Sequence, residues 1–125
     1  MENKTKILAI DDNVTQLKEF TLILTPKYDL RVVKSSTDAL SFLNLNEVDI
    51  ILLDIEMPNI SGFEFLYDIR KIPSYMKVPI IIISGNSGAE FLKEARASSA
   101  ADVLGKPVNH ERLIAAIEKA MANAD

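Results

Sequence analysis

The stretch Ile80-Ile81-Ile82-Ile83-Ser84, four consecutive β-branched apolar residues closed by a hydroxyl, decides how this chain folds. β-Branched side chains suit extended backbone, and an uninterrupted apolar run suits a strand covered by helices on both faces of a parallel sheet. Three further runs have the same form. Ile7-Leu8-Ala9-Ile10 precedes Asp11-Asp12, Ile50-Ile51-Leu52-Leu53 precedes Asp54, and Val103-Leu104 is followed shortly by Lys106-Pro107. As neighbouring strands of one parallel sheet, these runs bring three acids, a hydroxyl and a lysine to a single edge. In an open α/β sheet the carboxyl-terminal edge is where ligands bind.

Working outward, strands are expected near 6–10, 30–34, 49–53, 79–83 and 101–104, with Leu30-Arg31-Val32-Val33-Lys34 the most polar and therefore at an edge. Between them apolar residues recur at helical spacing: Val14, Leu17, Phe20 or Thr21, and Leu24; Leu66 and Ile69; Leu113, Ile114, Ile117 and Met121. Ser61-Gly-Phe-Glu64 and Ser87-Gly-Ala-Glu90 both fit a capping box, and Asn109 suits the cap of the last helix. Alternating strands and helices give an α/β fold, a three-layer α/β/α sandwich of five strands and five helices without linker or repeat.

Composition sets the outer bounds. At 125 residues the chain is the size of one domain, 1–125. A net charge of -4 offers no basic face for direct nucleic-acid contact, and the absence of cysteine excludes disulfides and thiolate chemistry. The apolar run after Lys6 is far too short for a signal-peptide core or a membrane span, so a cytoplasmic protein is expected.

Asp11, Asp12 and Asp54 cannot share a small volume fully charged without a positive partner. Lys106 offers one charge, and with only oxygen ligands at hand a hard cation such as Mg²⁺ fits better than zinc. A metal, a lysine and the Ser84 hydroxyl are what a phosphoryl group needs, and a carboxylate can attack phosphorus, with Asp54 the most central. Each residue alone has an ordinary structural use: the acidic pair near a helix start, Asp54 and Ser84 in turns, Lys106 as a solvated charge. Their coincidence on four strand ends is what those uses do not predict.

Taken together, the acidic pair, Ser84, Lys106-Pro107 and the segment Asp54-Ile-Glu-Met57-Pro58-Asn-Ile-Ser61-Gly62-Phe-Glu64 resemble the receiver domain of two-component response regulators, over essentially the whole chain. The resemblance implies a flavodoxin-like (βα)5 fold with strand order 2-1-3-4-5, and a phosphorylation-controlled switch. It implies Asp54 as phosphoacceptor and Asp12 as direct Mg²⁺ ligand, with Asp11 acting mainly through metal-bound water and the Glu56 backbone carbonyl as a further ligand. Ser84 would bond the phosphoryl group and shift towards it, Lys106 would pair with a phosphoryl oxygen, and the Lys106-Pro107 bond would be cis. The implied donor is a histidine kinase or phosphotransfer protein, with the fourth helix, fifth strand and fifth helix, about residues 87–122, as the downstream contact surface.

Two positions depart from or colour that pattern. Receivers commonly carry Tyr or Phe where Val103 stands, so switching is expected to rely on the loop after Ser84 and the helix beginning near Ser87. Glu56 and Asn86 resemble the family's tuning positions for phosphate lifetime, and read equally as exposed loop residues. His110, the only histidine, falls in the first turn of the last helix as a solvated side chain. Phe91 and Leu92 are adjacent in a helix and cannot face the core equally.

Two other functions compete. A receiver-like module binding partners without phosphorylation is opposed by the intact polar set. A phosphatase of the haloacid-dehalogenase type, also Mg²⁺-dependent, needs an aspartate where Glu56 stands and places its motif after the first strand. The favoured reading is a switch whose phosphoryl chemistry is self-catalysed, and not an enzyme with an external substrate.

Overall fold

A computed structural model describes residues 4–58 and 60–124; Asn59 of the signature segment lies outside them. Five parallel strands alternate with helices: β1 (Lys6–Ile10), α1 (Val14–Leu24), β2 (Asp29–Val33), α2 (Ser36–Leu45), β3 (Ile50–Asp54), α3 (Gly62–Arg70), a 3-10 turn (Pro73–Tyr75), β4 (Ile80–Ser84), α4 (Ala89–Ala97), β5 (Asp102–Gly105) and α5 (His110–Asn123). The strand order is β2-β1-β3-β4-β5, so β2 is an edge strand and β3 the central one.

Strand periodicity of two divides the core into two layers. Ile7, Ala9, Ile50, Leu52, Ile81 and Ile83 pack against Leu17, Phe20 and Leu24 of α1 and Leu113 and Ile117 of α5. The alternate residues Leu8, Ile10, Ile51, Leu53, Ile80 and Ile82 pack against α2, α3 and Ala95 of α4. The long apolar runs are explained by this double coverage, since every residue of β3 and β4 is buried. The two edge strands differ: no residue of β2 is buried, and only Leu104 of β5 is.

Helix starts follow side-chain caps in four cases: Asn13 for α1, Ser35 for α2, Ser61 for α3 and Asn109 for α5 each accept a first-turn amide. The capping box expected at Ser87 does not form. Asn86 Oδ1 takes the Gly88 N–H at 2.8 Å, and this local turn carries the chain past Ser87, so the helix is capped by Gly88 without a side-chain bond and begins at Ala89. Val14, expected on the buried stripe of α1, is exposed, and Phe20 rather than Thr21 enters the core. Of the adjacent pair in α4, Phe91 packs against the core and stacks at a tilt on Phe63, with centroids 5.8 Å apart.

Gly62 fixes the approach of α3 to β3. A Cβ there would overlap both the side chain and the carbonyl oxygen of Ile55. Alanine is ordinarily the better helix former by about 1 kcal/mol, but overpacking costs roughly 1–3 kcal/mol, and at the first helical residue the propensity gain is small. Gly62→Ala is therefore expected to lower stability by about 1–2 kcal/mol in urea unfolding; equal or greater stability would show that α3 moves freely.

Candidate functional site

Register builds the site. Ile10 aligns with Leu53, so the next residues, Asp11 and Asp54, lie side by side at the ends of β1 and β3. Ser84 ends β4 opposite Gly105, and the following Lys106 N–H donates to the Ser84 carbonyl at 2.8 Å. All five polar residues thus meet at one sheet edge, in loops whose positions are set by buried strands. The Lys106–Pro107 peptide bond is cis.

Asp11, Asp54 and Ser84 are the only buried polar residues among those described, 1%, 3% and 1% exposed. Asp54 is held on both oxygens: Oδ1 accepts the Glu56 N–H at 3.0 Å, and Oδ2 lies 3.2 Å from Lys106 Nζ. Asp11 Oδ1 accepts the Asn13 N–H at 2.9 Å, while Oδ2 is buried without any partner. Asp12 is exposed at the mouth. Ser84 Oγ accepts the Asn86 N–H at 2.9 Å and retains its own proton for donation.

Carboxylate oxygens of Asp11, Asp12 and Asp54 lie within 4.8 Å of one another. Three acids against one lysine leave negative charge in excess, and the orphaned Asp11 oxygen shows where it is least compensated. A divalent oxygen-seeking cation fits this donor set. Burial, and then the neighbouring Asp54, push the Asp11 carboxyl up to about 6, against the Asn13 amide and Lys106, which favour its ionised form.

Other residues singled out in the sequence stand apart from this cluster. Val103 is half-buried against the α2–α4 layer and carries no ring. His110 lies 3.4 Å from Glu19 of α1 on the exposed surface. Glu56, which reads equally as a tuning position and as an exposed loop residue, is exposed, and its Oε1 accepts the Gly85 N–H at 2.7 Å. No sequence pattern marks that bond, because its donor is a main-chain amide.

The Asp11 carboxyl has a consequence for stability. Its proton is held more tightly in the folded than in the unfolded protein, so its contribution is fully present below the ordinary value of 3.8 and is lost as pH rises through about 6. In metal-free buffer, Asp11→Asn is expected to match the wild type near pH 4 and to exceed it at pH 7 by on the order of 1–3 kcal/mol. A difference in thermal unfolding that does not change with pH would contradict this.

The response regulator receiver domain family model matches residues 7–118. The chain is similar to the chemotaxis response regulator CheY4 of Vibrio cholerae, with 27% identity and a TM-score of 0.87, covering 94% of this chain and 99% of that one. It is also similar to a response regulator receiver domain protein from Clostridium thermocellum, with 31% identity, a TM-score of 0.84 and 94% coverage of each. The CAI-1 autoinducer sensor kinase/phosphatase CqsS of Vibrio cholerae is 30% identical over 115 residues, 90% of this chain and 17% of that protein. The chain spans half or less of the length of such curated relatives. Family model, fold and relatives agree: the chain belongs to the response regulator receiver domain family of two-component signalling.

Proposed function

We propose that residues 1–125 form a single receiver domain in which Asp54 accepts a phosphoryl group from a histidine kinase or phosphotransfer protein in a Mg²⁺-dependent reaction. The observation that carries this is the position of Asp54, buried at the centre of the edge with Lys106 Nζ 3.2 Å from Oδ2. In the transfer a carboxylate oxygen of Asp54 bonds to phosphorus as the bond from phosphorus to the donor's leaving atom breaks. Lys106 offsets charge on the phosphoryl oxygens and Ser84 donates a hydrogen bond to one of them. Asp12, Asp54 and the Glu56 carbonyl would hold the cation, with Asp11 beside them; when bound, it neutralises carboxylate and phosphoryl charge.

A donor needs a place to dock. Between α1 and the edge strand β2 lies an open groove of about 570 Å³, lined by apolar residues such as Val14, Leu22 and Val32 together with Lys18, Lys34 and Asp38. Exposed apolar residues beside the acidic edge suit an amphipathic helix of the donor. Downstream contacts are assigned to α4, β5 and α5. Among the described residues no helix is long and apolar enough to cross a membrane. We place the domain in the cytoplasm and read its phosphoryl chemistry as self-modification, not turnover.

Intact mass after incubation with Mg²⁺ and acetyl phosphate tests the reading. One added phosphoryl group is expected on the wild type, and none on Asp54→Asn or in EDTA. No addition to the wild type, with Mg²⁺ binding confirmed, would favour a module that recognises partners without phosphorylation.

A further inference from the structure

The loop between β4 and α4 is tied to the end of β3 by one side chain. Glu56 Oε1 accepts the Gly85 N–H at 2.7 Å, while the main-chain N–H of Glu56 donates to Asp54 Oδ1 at 3.0 Å. Glu56 therefore joins the acidic centre to the residue directly after Ser84. Around Gly85 there is otherwise open space: its built Cβ would meet only Glu56 Oε1, at 3.5 Å. The rest of the loop bonds to itself, Asn86 N–H to Ser84 Oγ and Gly88 N–H to Asn86 Oδ1. The helix it leads into has Ala95 as its one fully buried residue, Phe91 half-buried against Phe63, and no side-chain cap.

We propose that Glu56 is a latch: its carboxylate holds the β4–α4 loop in the resting position through the Gly85 N–H, and a phosphoryl group on Asp54 releases it. The inference rests on Asp54 being the acceptor. Phosphorylation replaces the single negative charge of the Asp54 carboxylate with close to two on the phosphoryl group, and adds strong acceptor oxygens only two residues from Glu56. Like charge drives the Glu56 carboxylate off, and the new oxygens compete with it for nearby N–H donors. With the tie gone, Ser84 and the loop can move together.

A contact present only in the resting arrangement disfavours the other by its own worth. One hydrogen bond on an exposed loop corresponds to about a two- to tenfold shift. Glu56→Ala keeps the main-chain carbonyl and N–H while removing the latch, and Glu56→Gln keeps an amide oxygen without charge. Amide hydrogen exchange at Gly85 and the affinity for beryllofluoride with Mg²⁺, a non-covalent stand-in for the phosphoryl group, are measured on all three proteins.

Faster Gly85 exchange in resting Glu56→Ala by about two- to tenfold, with beryllofluoride bound tighter by a similar factor and Glu56→Gln between, is the expected result. In the wild type, beryllofluoride should itself shift the Gly85 resonance. Unchanged Gly85 exchange, or unchanged or weaker beryllofluoride binding in Glu56→Ala, would overturn the latch alone. Failure of the wild type to bind beryllofluoride would overturn the acceptor reading, and the latch with it.

Discussion

Repulsion between carboxylates held at the ends of β1 and β3 is the constraint on which the rest of this structure depends. At an effective dielectric of about 20, two full charges no more than 4.8 Å apart repel by roughly 3 kcal/mol or more. Parallel pairing leaves no freedom to separate them, because shifting β1 by one residue would turn its core face towards the opposite layer. Lys106 relieves part of this charge through Asp54, and Asp11 answers the remainder only below about pH 6, where it holds its proton. The folded domain carries a deficit of positive charge that a divalent cation can fill.

That deficit sits on a rigid base with movable surroundings. The strands delivering Asp54 and Ser84 are buried along their whole length between two apolar layers, so the acids and the hydroxyl are aimed by the core. The loop following Ser84 is exposed and built from short local turns. A local change of charge at Asp54 is thus placed where little apolar contact must be lost for the chain to move. Val103, half-buried and without a ring, packs on the α2–α4 layer, whereas the loop after Ser84 is the exposed side of the site.

The fold was legible in the sequence because its signals were long and redundant: continuous β-branched runs, polar strand ends and helical apolar spacing all asked for the same sheet. Strand β2 was recognisable as an edge by its polarity alone. Local competition was harder to read. Ser87 has the composition of a cap, yet Asn86 one residue earlier makes the tighter turn and moves the helix start. Asn13 with Gln16 three residues on is itself a cap signal, overshadowed by the adjacent acidic pair. The site's side chains were found from strand ends, whereas the unpartnered Asp11 oxygen and the Glu56 to Gly85 bond depend on main-chain donors and on burial at atomic scale.

Titration of the metal-free protein with Mg²⁺ at pH 7.5, followed by backbone amide resonances, bears most directly on the account of a charge-frustrated edge. Saturable shifts confined to residues near 11–13, 54–56 and 84–86, accompanied by a higher unfolding temperature, are the predicted result. Shifts scattered over the acidic surface without saturation, or no stabilisation at millimolar Mg²⁺, would contradict it.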